Sequence, residues 1–228
     1  RHSVIIQNGS VGTVALYNYS SSMYDVNGEA VNYMMLDFEC HGGDPNFSLI
    51  EGNEMQKFGA DDFWGSGRYN TFFRNHARRY HEDKGAQINS AVWAAQIFAK
   101  QLSNNVVANV YGLAGQSGVA TNGWGSSDVA DPYDSRVLSS VTDHANHSLI
   151  TGSTTYDPTI TDGLPSSYYY ATKPSYFGNC AWPLHGSDIV SKTNMTPAHA
   201  RYLGFSYPYF ASVAATGGLG RRGALPLY

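Results

Sequence analysis

Charge is scarce in this chain. Of its 228 residues only 14% are Asp, Glu, Lys or Arg, the net charge is −4, and no basic run occurs. The electrostatic footprint on which nucleic-acid binders depend is therefore missing, and nucleic acid is not an expected partner. Long apolar runs are missing too. No stretch approaches the ~18 apolar residues of a membrane-spanning helix, so no membrane span is expected. Cysteine is limited to Cys40 and Cys180. The two read as free, buried thiols, with a disulfide open to them only if the fold brings them together. No Gly-x-Ser-x-Gly, Cys-x-x-Cys-His or phosphate loop is present, which leaves a serine hydrolase, a c-type haem protein and a nucleotide binder without support. The opening Arg1-His2-Ser3-Val4-Ile5-Ile6 has no initiator Met and no signal-peptide core, so the chain reads as starting partway through a longer fold.

Aromatic and small polar residues take the place of charge. Aromatics make up 14% of the chain, with 17 Tyr and 24 Gly, and the hydrophobic fraction of 42% is ordinary for a packed protein. A surface built from Tyr, Asn, Ser, Thr and Gly suits sugars better than phosphates. A polysaccharide or surface glycan is the expected partner.

Internal repetition carries the fold class. Three short apolar segments end in Asn: Leu49-Ile50-Glu51-Gly52-Asn53, Thr71-Phe72-Phe73-Arg74-Asn75 and Asn105-Val106-Val107-Ala108-Asn109, with Val4-Ile5-Ile6-Gln7-Asn8 as an earlier member. The closing Asn residues are spaced by 22 and then 34. Stacked parallel coils place equivalent residues in ladders about 4.8 Å apart, and a turn Asn is suited to the left-handed conformation and to bonding its neighbour above or below. Ile50, Phe72 and Val106 are then an interior ladder. The segment 90–102 admits a helix or a strand, and its context favours a strand. The chain reads as all-β, with parallel β-helix coils over residues 1–112. Residues 113–228 hold the terminal coils, long loops and a Pro- and aromatic-rich extended cap, where the repetition fades. Residues 164–183 are expected to form that cap, with Lys173-Pro174 outside any sheet.

The run NFSLIEGNEMQKFGADDFWGSGRYNTFFRN, Asn46 to Asn75, resembles a segment of right-handed parallel β-helix proteins of the pectate-lyase-like superfamily, found in bacteria and phage-associated proteins. The later Leu164-Pro165, Ser167, Lys173-Pro174, Gly178 and Trp182-Pro183 resemble their closing segment, so the likeness covers roughly residues 41–203. It implies a right-handed β-helix. It also implies an extracellular, cell-surface or virion setting, as a tailspike or surface fibre that contacts glycans. Polysaccharide lyases and glycosidases share the fold, and so would an architectural filament subunit; homo-oligomers are compatible with each. The Gly-His-Gly and Arg-x-Lys elements of the polygalacturonase pattern are absent here.

Candidate chemistry centres on Asp61-Asp62, because paired carboxylates serve both glycosidic cleavage and Ca2+ binding. Asp61 follows Asn53 by eight residues and Asp83 follows Asn75 by eight. The 22-residue register therefore stacks Asp61 on Asp83 as an acid pair or a shared Ca2+ site. The alternative is that both cap turns. In the charged segment that follows, Arg78 is the candidate base, and Arg79, Tyr80 and His81 are candidates for gripping uronate carboxylates together with Arg68. A solvated coil corner would look the same. Trp64 is a candidate sugar platform or a packed coil residue. His144 and His147, without a third ligand, make a weak zinc signal.

Overall fold

A computed structural model of the chain describes residues 2–21, 23, 35–81, 86–87, 93–116, 122–125, 134–150 and 163–204. Short strands dominate. In chain order they are β1 (Val4–Gln7), β2 (Val14–Leu16), β3 (Phe38–His41), β4 (Leu49–Glu51), β5 (Glu54–Met55), β6 (Phe58–Ala60), β7 (Thr71–Phe73) and β8 (His76–Ala77). There follow β9 (Tyr80–His81), β10 (Ala86–Gln87), β11 (Ala95–Ile97), β12 (Asn105–Val107), β13 (Val110–Tyr111), β14 (Asn122–Trp124), β15 (Thr142–His144) and β16 (His147–Ser148). Among the described residues the helices are α1 (Ser135–Ser140), α2 (Pro197–Tyr202) and a 3-10 turn at Ser175–Phe177.

The strands form three parallel sheets. Sheet 1 runs β1-β3-β6-β11-β14, sheet 2 runs β2-β4-β7-β12-β15, and sheet 3 runs β5-β8-β13-β16. The chain visits sheets 1, 2 and 3 in rotation, and each strand pairs with its counterpart one circuit later. Parallel neighbours need a long connection between them, and here each connection is itself two strands of the other sheets. Among the described strands, β9 and β10 pair antiparallel, after β8.

Alternation along these three-residue strands fills the interior. In sheet 2 the inward row is Ile50, Phe72 and Val106, in register as expected. In sheet 1 Phe38, Phe58 and Ala95 form one row and Cys40, Ala60 and Ile97 the next. These side chains make one buried core, each contributing about 1.5–3 kcal/mol when it is a large aliphatic or aromatic group. The segment 93–102 contains β11, a strand and not a helix.

The Asn ladder is longer than the apolar pattern suggests. Asn18, Asn53, Asn75, Asn109 and Asn146 stack, each Oδ1 accepting both the backbone N–H and the side-chain Nδ2–H of the Asn before it at 2.7–3.0 Å. Each Nδ2 from Asn53 onward also donates to a backbone carbonyl of the preceding circuit. Two expectations are corrected. The first member is Val14 to Asn18, because β1 pairs with β3 in sheet 1 and so puts Asn8 in a different row. The left-handed residue is the one before each Asn: Tyr17, Gly52, Arg74, Ala108 and Ala145 have φ between 55° and 65° or close to it, at 51° for Arg74. The turn is tightened there so that the following amide can face up and down the stack. Gly52 is required in this row, since a Cβ would lie 2.3 Å from the Tyr17 ring.

Repetition also continues past residue 112, through β14, β15 and β16, where a polar Asp143 takes the inward place after Val106.

Residues 163–204 run as a strap along the flank of the stack. Arg74 ties it down, donating to the carbonyls of Pro165 at 2.9 Å and His185 at 2.8 Å and to both carboxylate oxygens of Asp188 at 2.8 and 2.7 Å. Tyr17 packs edge-on to Phe177, with ring centres 4.8 Å apart. The buried Glu51 carboxylate accepts from the Tyr17 hydroxyl at 2.6 Å, from the Ser167 hydroxyl and from the Tyr168 N–H at 2.8 Å. The strap touches one circuit after another, so it lies over coil surfaces along a side of the stack. Lys173-Pro174 lies outside every sheet, as expected, and one 3-10 turn interrupts the extended course. Cys40 sits in the main core and Cys180 on the buried side of the strap, in separate apolar clusters.

Candidate functional site

Register decides which polar groups meet. Cys40 pairs with Ala60, so the next residues along, His41 and Asp61, fall side by side on consecutive rungs of sheet 1. Glu39 precedes His41 by two and therefore shares its face. His41 Nδ1 lies 2.6 Å from Asp61 Oδ2 and 3.8 Å from Glu39 Oε1. On the far side of Glu39, His2 Nδ1 is 2.8 Å from Oε2. One ligand atom from each of Glu39, His41 and Asp61 lies within 4.8 Å of the others. Burial and the charge of Glu39 push the Asp61 carboxyl up to about 7, against the opposing charge of His41. Beside the cluster Phe63 and Trp64 stand exposed, edge to face at 4.7 Å.

The sequence candidates divide. Asp61 belongs to this cluster, but its partners are Glu39 and His41. β6 pairs next with β11, so Phe98 and not Asp83 follows Asp61 in register. The 22-residue spacing holds from β4 to β7 and from β5 to β8, but the β9-β10 hairpin lies between β6 and β11, where Ala60 pairs with Ile97. Asp83 lies outside the described residues, as does the side chain of His81. Asp62 is buried. Arg78 is buried in the sheet 3 region, 3.7 Å from Glu54 and stacked over Tyr19 at 4.8 Å. Arg79 is fully buried, which pulls its pKa down and removes it from any surface grip. Tyr80 uses its carbonyl to accept from Gln56 Nε2 at 2.9 Å. Arg68 is exposed and lines a small cleft of about 250 Å³ with Lys100 and Arg136. Trp64 is 70% exposed, a platform position and not a core one. His144 is on sheet 2 and His147 on sheet 3, so they do not form a metal pair.

A larger feature went unread in the sequence. The outer face of sheet 2 is the floor of an open groove of about 600 Å³, formed by Leu49, Thr71, Asn105, Val107, Thr142 and His144. Tyr168 and Leu164 of the strap and the pair Phe47 and Tyr69 line it as well. Phe47 and Tyr69 are exposed, stacked at 5.1 Å and 15°, and both held at positive φ, 55° and 59°. Holding two exposed rings in that sparsely populated conformation costs energy that packing does not return, as binding sites commonly do. Across the floor Asn105 Nδ2 donates to Thr71 Oγ1 at 3.2 Å, and among the described residues no Asp, Glu, Lys or Arg lines the groove. The signal was available: Phe47 and Tyr69 are separated by the same 22 residues as Asn53 and Asn75.

Where the strap meets sheet 3, His199 Nδ1 lies 2.8 Å from Glu54 Oε1, while His76 and His185 sit buried with ring centres 5.5 Å apart. Burial holds His76 down at about 4 and His185 at about 3. For Glu54 burial works upward, but the His199 hydrogen bond and nearby positive groups outweigh it and hold the carboxyl at about 2.

No family model matches the chain, and no curated protein or solved structure matches it either.

Proposed function

We propose that the three sheets wind as a right-handed parallel β-helix of the pectate-lyase-like kind, and that this rigid body serves to bind glycan chains at an extracellular or virion surface, in the manner of a tailspike or fibre. The groove on sheet 2 carries the reading. Stacked aromatic faces beside hydroxyl and amide groups, without fixed charge, match the alternating apolar and hydroxylated faces of a neutral sugar. The floor crosses four strands, about 14 Å at the interstrand spacing, so it offers a short run of sugar rings a rigid track. Preorganised rings and Asn/Thr rungs cost little entropy to engage.

Glycosidic cleavage is the second reading, favoured by one observation: the carboxylates of Glu39 and Asp61 are close, and burial raises the Asp61 carboxyl to about 7. A carboxyl raised towards neutrality beside a second carboxyl group suits acid/base cleavage. A panel of neutral and acidic polysaccharides separates the two readings. Retention on neutral glycans without shortening supports binding alone. Shortening that disappears in Asp61→Asn supports cleavage, and no retention on any glycan contradicts both.

A further inference from the structure

We propose that Glu39, His41 and Asp61 form a binding site for a divalent transition ion of the zinc type. The donors come from two adjacent strands, at the end of β3 and just past β6, where main-chain register and not loop flexibility fixes their spacing. Two carboxylates and an imidazole bring their ligand atoms within 4.8 Å. Ions of this class take such atoms at about 2 Å, which separates ligands by roughly 3–4 Å, so side-chain rotation suffices to close the set.

A second feature points to the same ligand. Glu39 is 5% exposed, and its Oε2 has no hydrogen-bond donor. His2 Nδ1 is near it at 2.8 Å, but that nitrogen is directed at the Leu36 carbonyl at 2.7 Å. Among the described residues no Lys or Arg pairs with Glu39 or Asp61, so two buried acids have only imidazoles to balance them. A dication held between these three side chains supplies that balance. The mixed nitrogen and oxygen donors favour a zinc-type ion over Ca2+, which takes six to eight oxygens. The His41 side chain is 24% exposed, which leaves a way in. This site is independent of the glycan groove.

Calorimetric titration of the whole chain with ZnCl2, and separately with CaCl2, tests it. One equivalent of zinc should bind at micromolar affinity or tighter. His41→Ala, at a half-exposed position, and the near-isosteric Asp61→Asn should each weaken binding more than about tenfold. A His144→Ala, His147→Ala variant should bind zinc as before. No saturable zinc binding, binding unchanged in both ligand variants, or calcium bound as tightly as zinc would overturn the assignment.

Discussion

At the scale of single residues, buried amides and imidazoles dominate the energetics. Asn75 satisfies four groups at once: Asn53 N–H, Asn53 Nδ2–H, the Ile50 carbonyl and Asn109 Oδ1. Asn75→Ala strands those partners in a dry turn and should lower stability by about 3 kcal/mol, read from urea unfolding. His185 is buried with neither ring nitrogen bonded, and burial holds its folded pKa at about 3. Unfolded, it returns to about 6.5. Below about pH 6.5 the unfolded chain binds a proton that the folded chain refuses, so stability falls as pH drops. Burial raises Asp37 to about 6, and Asp61 is also raised. These two take up protons in the folded state first and act in the opposite sense, but they are common to wild type and variant. His185→Gln should therefore lose about 2 kcal/mol less than wild type between pH 7 and pH 5. Equal losses would show that the imidazole titrates freely in the folded state.

At the scale of elements, the turn before each ladder Asn and the strap that lies on it form one device. Arg74 is 2% exposed and left-handed at φ 51°, and it reaches from the turn to hold the strap at Pro165, His185 and Asp188. Arg74→Ala should destabilise the chain by about 3 kcal/mol and raise hydrogen exchange in 164–190 before the sheets respond, a difference visible by mass spectrometry. Exchange rising equally in β4, β7 and β12 would mean that the strap has no stability of its own. This scale also shows what the sequence could reveal. The Leu49, Thr71 and Asn105 segments were legible because apolar alternation and a closing Asn coincide. Asn18 closes an equally apolar Val14-Ala15-Leu16-Tyr17, but Asn8 after Val4-Ile5-Ile6 offered a competing match that register alone excludes, and Asn146 follows Thr-Asp-His, with no apolar ladder. Asp61 was legible as a candidate, but its partners were not. Glu39 and His41 come from the preceding circuit, across an interval that only strand register measures, and the hairpin after β8 spoils the 22-residue arithmetic that suggested Asp83.

At the scale of the whole molecule, stacked circuits make a body whose flank is set by ladders, and the sheet 2 groove is such a flank: aromatic at one rim, strap at the other, uncharged between. This is the face proposed to bind sugar. The most direct measurement is the affinity of a soluble neutral oligosaccharide, chosen from the retained polysaccharide, for wild type and for Phe47→Ala, Tyr69→Ala. Both rings are exposed, so the melting temperature should hold while affinity falls more than about tenfold, or roughly 1.4 kcal/mol. Undiminished affinity in the double variant would contradict the claim.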